Sequence, residues 1–311
     1  MANLMKYQEI KTKDGQMFVV SEKLGEGGQG AVYAVAGESG IKALKWYSRK
    51  KLLNFEKFYA NIENNMKKGK PSNVFIWPEA ITEKQEDSFG YVMDILPTDY
   101  KELTKIIIGR ENFKSVMAMS NASLQIASGF NKLHQKGYIF QDFNDGNVYI
   151  NPTDGNVLIC DTDNVCEFGK LYNVIGKSQY IAPEIITDNA NPDVNTDVFS
   201  LSIVLFMLWI NNHPLEGKAA VAVPLMDEKT ERKIYYENPV FIWDPSNDTN
   251  RPVNGIHKGA IDRWPILPKY LQETFIKAFG KEALNNPQKR VSNQEWINIF
   301  NRMIEEKFEG N

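Results

Sequence analysis

The feature that most constrains this chain is a polar loop followed by an apolar strand that ends in a carboxylate. Asp142 and Asn147 lie in the loop, and the run Val157–Cys160 leads directly into Asp161. Between them, Pro152–Gly155 has the composition of a tight turn. A hairpin with this turn would return Asp161 to the neighbourhood of Asn147. An ordinary Asn/Asp/Gly turn would explain the loop alone, but it leaves the position of Asp161 unexplained.

A glycine cluster near the N-terminus is the second constraint. Gly25, Gly27 and Gly30 form G-x-G-x-x-G, a pattern in which backbone N–H groups can approach phosphate oxygens without interference from side chains. A glycine-rich hairpin is the alternative without function. A dinucleotide-binding turn would need a helix at the last glycines, whereas 31–35 continues as a strand. Lys45 ends the next apolar run, although a lone lysine in a strand is usually a surface residue.

Length and composition limit the class of protein. The chain has 311 residues and a net charge of -3, which predicts one large domain or two lobes and gives no basic footprint for nucleic acid. Two cysteines, Cys160 and Cys166, are too few for a disulfide framework and favour a reducing compartment. The apolar stretch Val198–Ile210 is shorter than the ~18 residues of a membrane span. With no apolar leader-like segment at the start, we expect a cytoplasmic protein without membrane contact.

The pattern of apolar residues changes along the chain. Up to about residue 96 it predicts short strands, with one helix within Lys50–Lys68; from Thr98 onward it is mainly helical. We therefore expect an α+β protein with two lobes, a small β-rich lobe over 1–96 and a larger helical lobe over 97–311. The predicted helices of the second lobe are 116–134, 196–211, 269–279 and 292–306.

Three further motifs follow in order. They are Tyr180–Glu184, which contains A-P-E, the D-V-F-S-L run Asp197–Leu201, and Asn286–Arg290. Together with the glycine cluster, Lys45 and the loop around Asp142, they resemble the eukaryotic-type protein kinase family. The resemblance extends from about Phe18 to Ile304, and it implies the bilobal protein-kinase-like fold.

The resemblance implies an ATP- and Mg2+-dependent protein kinase that transfers the γ-phosphate to Ser/Thr hydroxyls of a protein substrate. Lys45 would grip the α- and β-phosphates, and Asp142 would accept or orient the substrate hydroxyl proton. Asn147 and Asp161 would bind Mg2+. The resemblance also implies a partly buried ion pair between Glu184 and Arg290.

It further implies a nucleotide site between the lobes. Glu63 is the expected helix glutamate that pairs with Lys45, with Glu56 as the alternative. The backbone of Asp94 and Leu96 would hydrogen-bond adenine. The remaining nucleotide-binding candidates are Gly25, Gly27, Gly30, Val32, Ala43, Met93 as gatekeeper, and Tyr149 or Val148 below the base.

Several positions depart from the family pattern. Gln141 stands where an arginine usually receives an activation-loop phosphate, so we expect activity that needs no such phosphate. Asn144 occupies the catalytic-loop position of the lysine that contacts the γ-phosphate, which predicts slower transfer or help from another cation. Thr162 and Asp163 replace the last two residues of D-F-G; Asp163 could bind Mg2+ or cap a turn, and we favour the turn. The phosphate acceptors to be tested are Thr162, Tyr172, Ser178 and Tyr180.

A narrower resemblance rests on the loop 141–147, the segment 161–163 and the stretches 238–245 and 250–252. These look like a bacterial branch of kinase-like proteins associated with tellurium-resistance-type proteins and with phosphatases, which are therefore expected partners. Two other functions stay open. A nucleotide-binding pseudokinase would explain Asn144 and Asp163, whereas a small-molecule phosphotransferase is disfavoured by A-P-E and Arg290.

Overall fold

The computed structural model describes residues 4–52, 54–170 and 176–310. Its N-terminal lobe is built on a six-stranded antiparallel sheet in the order β1-β2-β3-β4-β6-β5. The strands are β1 Glu9–Lys11, β2 Met17–Glu26, β3 Gly30–Gly37, β4 Gly40–Ser48, β5 Ala80–Ile81 and β6 Ser88–Met93.

Helix α1, Phe55–Lys68, is the one long helix of this lobe. Its apolar positions recur at helical spacing, so Phe55, Phe58 and Ile62 share one face. These side chains are buried in a cluster with Tyr47 of β4 and Phe89 of β6. The aromatic packing fixes the helix against the strand that carries Lys45.

The C-terminal lobe is organised around α5, Val194–Ile210, whose residues from Thr196 onward are nearly all buried. The helix begins at Val194, two residues before the predicted start at 196, because Asp193 is its N-cap and forms a capping box with Thr196. The other helices are α2 Leu103–Ile107, α3 Val116–Gln135, α4 Pro183–Thr187, α6 Lys218–Val221, α7 Glu228–Glu231, α8 Lys258–Arg263, α9 Lys269–Phe279, α10 Lys281–Asn285 and α11 Asn293–Glu305.

Two small sheets lie between the main sheet and these helices. One contains β7 Lys101–Glu102, β9 Val148–Ile150 and β10 Val157–Ile159, and the other pairs β8 Tyr138–Phe140 with β11 Val165–Glu167. The hairpin of β9 and β10 is the one expected from the sequence, and its register pairs Val148 with Ile159. Cys160 N–H donates to the carbonyl of Asn147 at 2.8 Å, so the residues that follow lie beside the polar loop.

The fold is therefore α+β and bilobal, as expected, with a β-rich first half and a helical second half. The long connection 214–268 contains the short helices α6 to α8 and a π-helical turn, Arg232–Glu237. Among the described residues, every helix is too short or too polar to cross a membrane.

Candidate active site

Lys45 reaches from β4 into the cleft between the lobes, where two carboxylates meet it. Its Nζ lies 2.9 Å from Asp161 Oδ1 and 2.9 Å from both carboxylate oxygens of Asp163. Burial alone would lower the pKa of Lys45, but the two carboxylates outweigh it and raise that pKa well above 10.5. Lys45 in turn lowers the pKa of Asp161. The lysine is therefore held fully charged at the centre of the cleft.

Asp163 has neither of the roles considered from the sequence. Its side chain is fully buried and accepts hydrogen bonds from Tyr47 Oη at 2.5 Å and Tyr91 Oη at 3.2 Å as well as from Lys45. A carboxylate with its oxygens satisfied in this way neither caps a turn nor faces the cleft as a metal ligand. Asp163 is instead the principal buried counter-ion of Lys45.

The expected pairing of Lys45 with Glu63 is not formed. Glu63 contacts Lys13 on the outer side of α1, and the alternative, Glu56, contacts Arg49 and Lys84. The reason is helix register, because one residue turns a helix face by about 100°.

The face of α1 that meets the segment after Asp161 carries amides rather than a carboxylate. Asn61 and Asn65 are buried and donate to the carbonyl of Val165 at 2.8 and 2.7 Å. Asn61 also approaches the carbonyl of Asp163 at 3.4 Å. The carboxylate that was expected on the helix as the partner of Lys45 is supplied instead by Asp163 of the loop.

The polar loop is anchored from below by α5. Asp197 Oδ2 accepts from the backbone N–H of Phe140 at 2.8 Å and contacts His134 Nε2 at 2.9 Å. His134 is thus a structural residue that supports this anchor. Burial raises the pKa of Asp197, although its bond to His134 opposes this rise. This anchor fixes the end of β8, from which Asp142 follows.

Asp142 lies at the floor of the cleft. Its Oδ1 accepts from Asn144 Nδ2 at 3.1 Å and from the backbone N–H of Lys177 at 3.2 Å. Burial raises the pKa of Asp142, and the nearby charge of Asp161 adds to the rise, while the two hydrogen bonds oppose it. A poorly solvated carboxylate on a rigid loop is suited to accept a proton.

Asn147 and Asp161 come together as the hairpin requires. Asn147 Nδ2 lies 3.4 Å from Asp161 Oδ2, and its amide oxygen accepts from the backbone N–H of Asn144 at 2.9 Å. That oxygen keeps a second lone pair, and the Asp161 side chain is 48% exposed. Oxygen donors of this kind fit Mg2+, which commonly takes one or two carboxylates together with phosphate oxygens.

No group of three or more His, Cys, Asp or Glu side chains within 4–52, 54–170 and 176–310 is arranged to hold a metal ion. The donors at Asn147 and Asp161 therefore supply only part of a coordination shell. A metal ion bound here would need further oxygens from a ligand, and the phosphates of a nucleotide can provide them.

The glycine cluster forms the hairpin between β2 and β3, above Lys45. Gly27 N–H donates to the carbonyl of Gly30 at 2.8 Å. The space beside Gly25 and Gly27 is open, whereas a Cβ on Gly30 would stand 2.5 Å from the carbonyl oxygen of Trp46. Gly30 therefore permits the close approach of β4, and the other two leave an accessible backbone for phosphate groups.

Apolar side chains line the cleft between the hairpin and the segment after β6. Ala43 and Met93 are buried opposite each other on β4 and β6, and Val32 packs on the same cluster. Below them, Tyr149 is half-buried, whereas Val148 is fully buried in the C-terminal core. Tyr149 therefore fits the floor of the cleft better than Val148.

The cleft also contains Leu158, which was not predicted from the sequence, and the predicted residues Asp94 and Leu96. Leu158 is paired with Tyr149 across β9 and β10 and packs on the cluster of Ala43. In the sequence it belongs to the uniformly apolar run Val157–Cys160, where nothing distinguishes a residue that lines the cleft from one in the core. Asp94 and Leu96 are partly buried after β6, and the Asp94 side chain pairs with Lys42 at 2.7 Å.

The segment after Asp161 leads to the predicted ion pair. Arg290 Nη1 and Nη2 each lie 2.7 Å from one carboxylate oxygen of Glu184, with the arginine side chain only 2% exposed. Thr162 is buried and donates to the carbonyl of Ile76 at 2.5 Å, and Tyr180 is also buried. Tyr172 lies outside the described residues.

Comparison with known proteins decides the family. The model of the protein kinase domain matches residues 18–300, nearly the whole chain. The chain belongs to the protein kinase family. The conjunction of Lys45, Asp142, Asn147 and Asp161 in one cleft is accordingly the candidate active site of a kinase.

Individual relatives of this kinase are distant. It is 24% identical over 214 residues to a Zea mays protein described as "Probable serine/threonine-protein kinase CCRP1", with 62% of this chain and 31% of that protein covered. It is 22% identical over 308 residues to CBL-interacting protein kinase 28 of Oryza sativa subsp. japonica, covering 92% and 69%. A mimivirus protein described as a serine/threonine-protein kinase/receptor is 26% identical over 217 residues, covering 67% of this chain and 13% of that protein.

Proposed function

We propose that this kinase uses ATP and Mg2+ to phosphorylate Ser or Thr hydroxyls of a protein substrate. The observation that carries the proposal is the convergence on one cleft of a buried, charged lysine, a proton-accepting carboxylate and a pair of oxygen donors. Phosphoryl transfer depends mainly on positioning and charge neutralisation, and these groups provide both. The serine/threonine specificity is supported by the description of two of the distant relatives.

Each residue has a role in this proposal. Lys45 binds the α- and β-phosphates, and Asp142 orients the attacking hydroxyl and receives its proton. Mg2+, when bound by Asn147 and Asp161, would neutralise charge on the phosphates. Gly25, Gly27 and Gly30 give the hairpin its close approach to the phosphates. Val32, Ala43, Met93, Leu158 and Tyr149 enclose the base, with the backbone at Asp94 and Leu96 as its hydrogen-bond partners.

The remaining expectations belong to the same proposal. We take 1–96 and 97–311 as the two lobes, with the base between them, and the cytoplasm as the location. Membership of a bacterial branch, with tellurium-resistance-type proteins or phosphatases as partners, rests on the motifs around 238–252. The independence from activation-loop phosphate rests on Gln141 and on the burial of Thr162 and Tyr180.

A pseudokinase is the second candidate function, and a specific contact favours considering it. Lys45 is neutralised by two carboxylates, and a scaffold that binds nucleotide without transfer would need no cation at position 144. The open space at Gly25 and Gly27 and the exposed part of Asp161 favour the enzyme, because they leave room for phosphates beside the lysine.

The test compares the wild-type chain with Asp142→Asn. Both are incubated with radiolabelled ATP and Mg2+, alone and with a generic basic protein, and ATP binding is measured by calorimetry. We expect transfer to Ser or Thr to fall by roughly 10²- to 10⁴-fold in the variant, the usual contribution of a general base, with ATP affinity retained. A wild-type chain that binds ATP without transferring phosphate would contradict the enzyme and support the scaffold.

A further inference from the structure

The catalytic loop carries no cation where one is needed. Asn144 is buried, and its side chain forms hydrogen bonds within the loop. Its amide nitrogen donates to Asp142, and its Oδ1 accepts from Gly146 N–H at 3.0 Å. The γ-phosphoryl group develops charge on its oxygens during transfer, and a cation placed against them stabilises that state. Lys45 is already paired with Asp161 and Asp163.

Lys177 places an ammonium group at this same part of the loop. Its Nζ and Asn144 Oδ1 both stand 3.2 Å from the point where a Cβ of Gly146 would lie. Its own backbone N–H donates to Asp142 Oδ1, so the residue is attached directly to the proton acceptor. The preceding Gly176 allows this approach, because a Cβ there would stand 3.0 Å from Asp142 Oδ1.

Asp145 holds the ammonium in this position. Its Oδ1 lies 3.1 Å from Lys177 Nζ, and its Oδ2 accepts from Thr104 Oγ1 at 2.7 Å. Asp145 is nearly buried, whereas the Lys177 side chain is 50% exposed. The lysine is thus held by a nearly buried carboxylate, while half of its own side chain stays exposed.

We infer that Lys177, which lies in the activation segment, is the catalytic cation for the γ-phosphate. It takes the role of the lysine that is absent at position 144. The inference rests on the proposed function. The substrate hydroxyl oxygen forms a bond to the γ-phosphorus, its proton passes to Asp142, and the bond to the β-phosphate oxygen breaks with its electron pair leaving on ADP. Lys177 binds a γ-phosphate oxygen throughout, and Asp145 is its positioning residue. The structure therefore explains how transfer proceeds with asparagine at position 144.

The test measures kcat and the KM for ATP separately in Lys177→Met, Lys177→Arg and the exchange variant Asn144→Lys/Lys177→Met. Lys229→Met, in the exposed helix α7, is the matched control. We expect Lys177→Met to lower kcat by roughly 10²-fold, the usual effect of removing one transition-state donor, with the KM for ATP and the melting temperature nearly unchanged. Lys177→Arg and the exchange variant should recover at least about tenfold of that loss, because both restore a cation at the same place.

Three results would overturn the inference. One is an unchanged kcat in Lys177→Met, and another is an equal loss in Lys177→Met, Lys177→Arg and the exchange variant, which would mark a structural role. The third is a wild-type chain without transfer activity, since the proposed function then fails and the inference fails with it. In the first two cases the wild-type chain is active, so the proposed function stands while the assignment of Lys177 falls.

Discussion

Lys45 is fixed by two carboxylates of the loop 161–163 and by no carboxylate of α1 among the described residues. Its position at the end of an apolar strand was readable, because strand sequence and motif spacing agreed. Its partner could not be predicted, because spacing places Asp163 in the right loop but does not show that the Asp163 side chain turns inward. The predicted pairing of Glu63 with Lys45 was wrong for a related reason. Helical periodicity identifies α1, but the exact register decides which residue faces the segment after Asp161, and Asn61 occupies that position.

Removing the buried counter-ion should be costly. In Asp163→Asn, Lys45 loses its fully buried partner and keeps only the half-exposed Asp161. We expect the free energy of unfolding, measured in urea, to drop by about 3 kcal/mol, as for other broken buried pairs. The KM for ATP should increase, because Lys45 is no longer fixed.

Glu63→Gln is the matched control for this change. It should leave both the unfolding free energy and the KM for ATP nearly as they are, since the Glu63 carboxylate pairs with the exposed Lys13. The opposite ranking of the two variants would show that Glu63, and not Asp163, governs Lys45.

The buried carboxylate of Asp142 should make both kcat/KM and stability depend on pH. Only the ionised carboxylate can accept a proton, and burial raises its pKa above 3.8. The kcat/KM should therefore fall on the acid side at a pH above that value. Because the folded state carries the raised pKa, the charged form destabilises it at neutral pH.

The matching stability measurement uses Asp142→Asn. We expect this variant to melt at a higher temperature than the wild type at pH 7. The difference should shrink as pH decreases through the folded pKa and vanish below the unfolded value of 3.8. A lower melting temperature for the variant at pH 7 would contradict the assignment of a destabilising buried charge.

At the scale of elements, periodicity was enough to predict α3, α9 and α11 nearly to the residue. The start of α5 was missed by two residues, because Asp193 caps the helix and several neighbouring polar residues could equally have done so. The short helices of 214–268 were not predicted, because four- to six-residue helices carry too little periodicity to detect.

The ion pair between Glu184 and Arg290 joins the segment at α4 to the C-terminal elements. Arg290 also donates to the carbonyl of Asn195 at 2.9 Å, so it connects α4, α5 and the segment before α11. Removing one partner leaves a charge without its counter-ion. We expect Arg290→Ala to reduce the free energy of unfolding by about 3 to 5 kcal/mol.

The apolar double variant Glu184→Leu/Arg290→Met tests whether the unpaired buried charge causes this loss of stability. It should be less destabilised than Arg290→Ala, because no unpaired charge remains buried. Arg302→Ala, at an exposed pair in α11, serves as the surface control with little change in urea denaturation. A loss in the control equal to that in Arg290→Ala would show that burial of the pair is not what matters.

For the whole molecule, the order of motifs along the chain was sufficient to predict the bilobal fold. Each motif is weak alone, but a glycine hairpin, a lysine strand, a polar loop and a terminal carboxylate can meet only if the two halves face each other across a cleft. The sequence could not show how the departures compensate one another. Asp163 takes over from the helix glutamate, and Lys177 comes near the place left by Asn144, through contacts between residues far apart in sequence.

The central claim is that Lys45, Asp142, Asn147 and Asp161 form one ATP and metal site. Its most direct test is a crystal structure with a non-hydrolysable ATP analogue and Mn2+, which replaces Mg2+ and gives an anomalous signal. We expect a Mn2+ peak within roughly 2.0–2.3 Å of an Asp161 carboxylate oxygen and of the Asn147 amide oxygen, distances typical of small hard cations, with the α- and β-phosphates on Lys45. A nucleotide bound elsewhere, or bound in the cleft with Mn2+ away from Asp161, would contradict it.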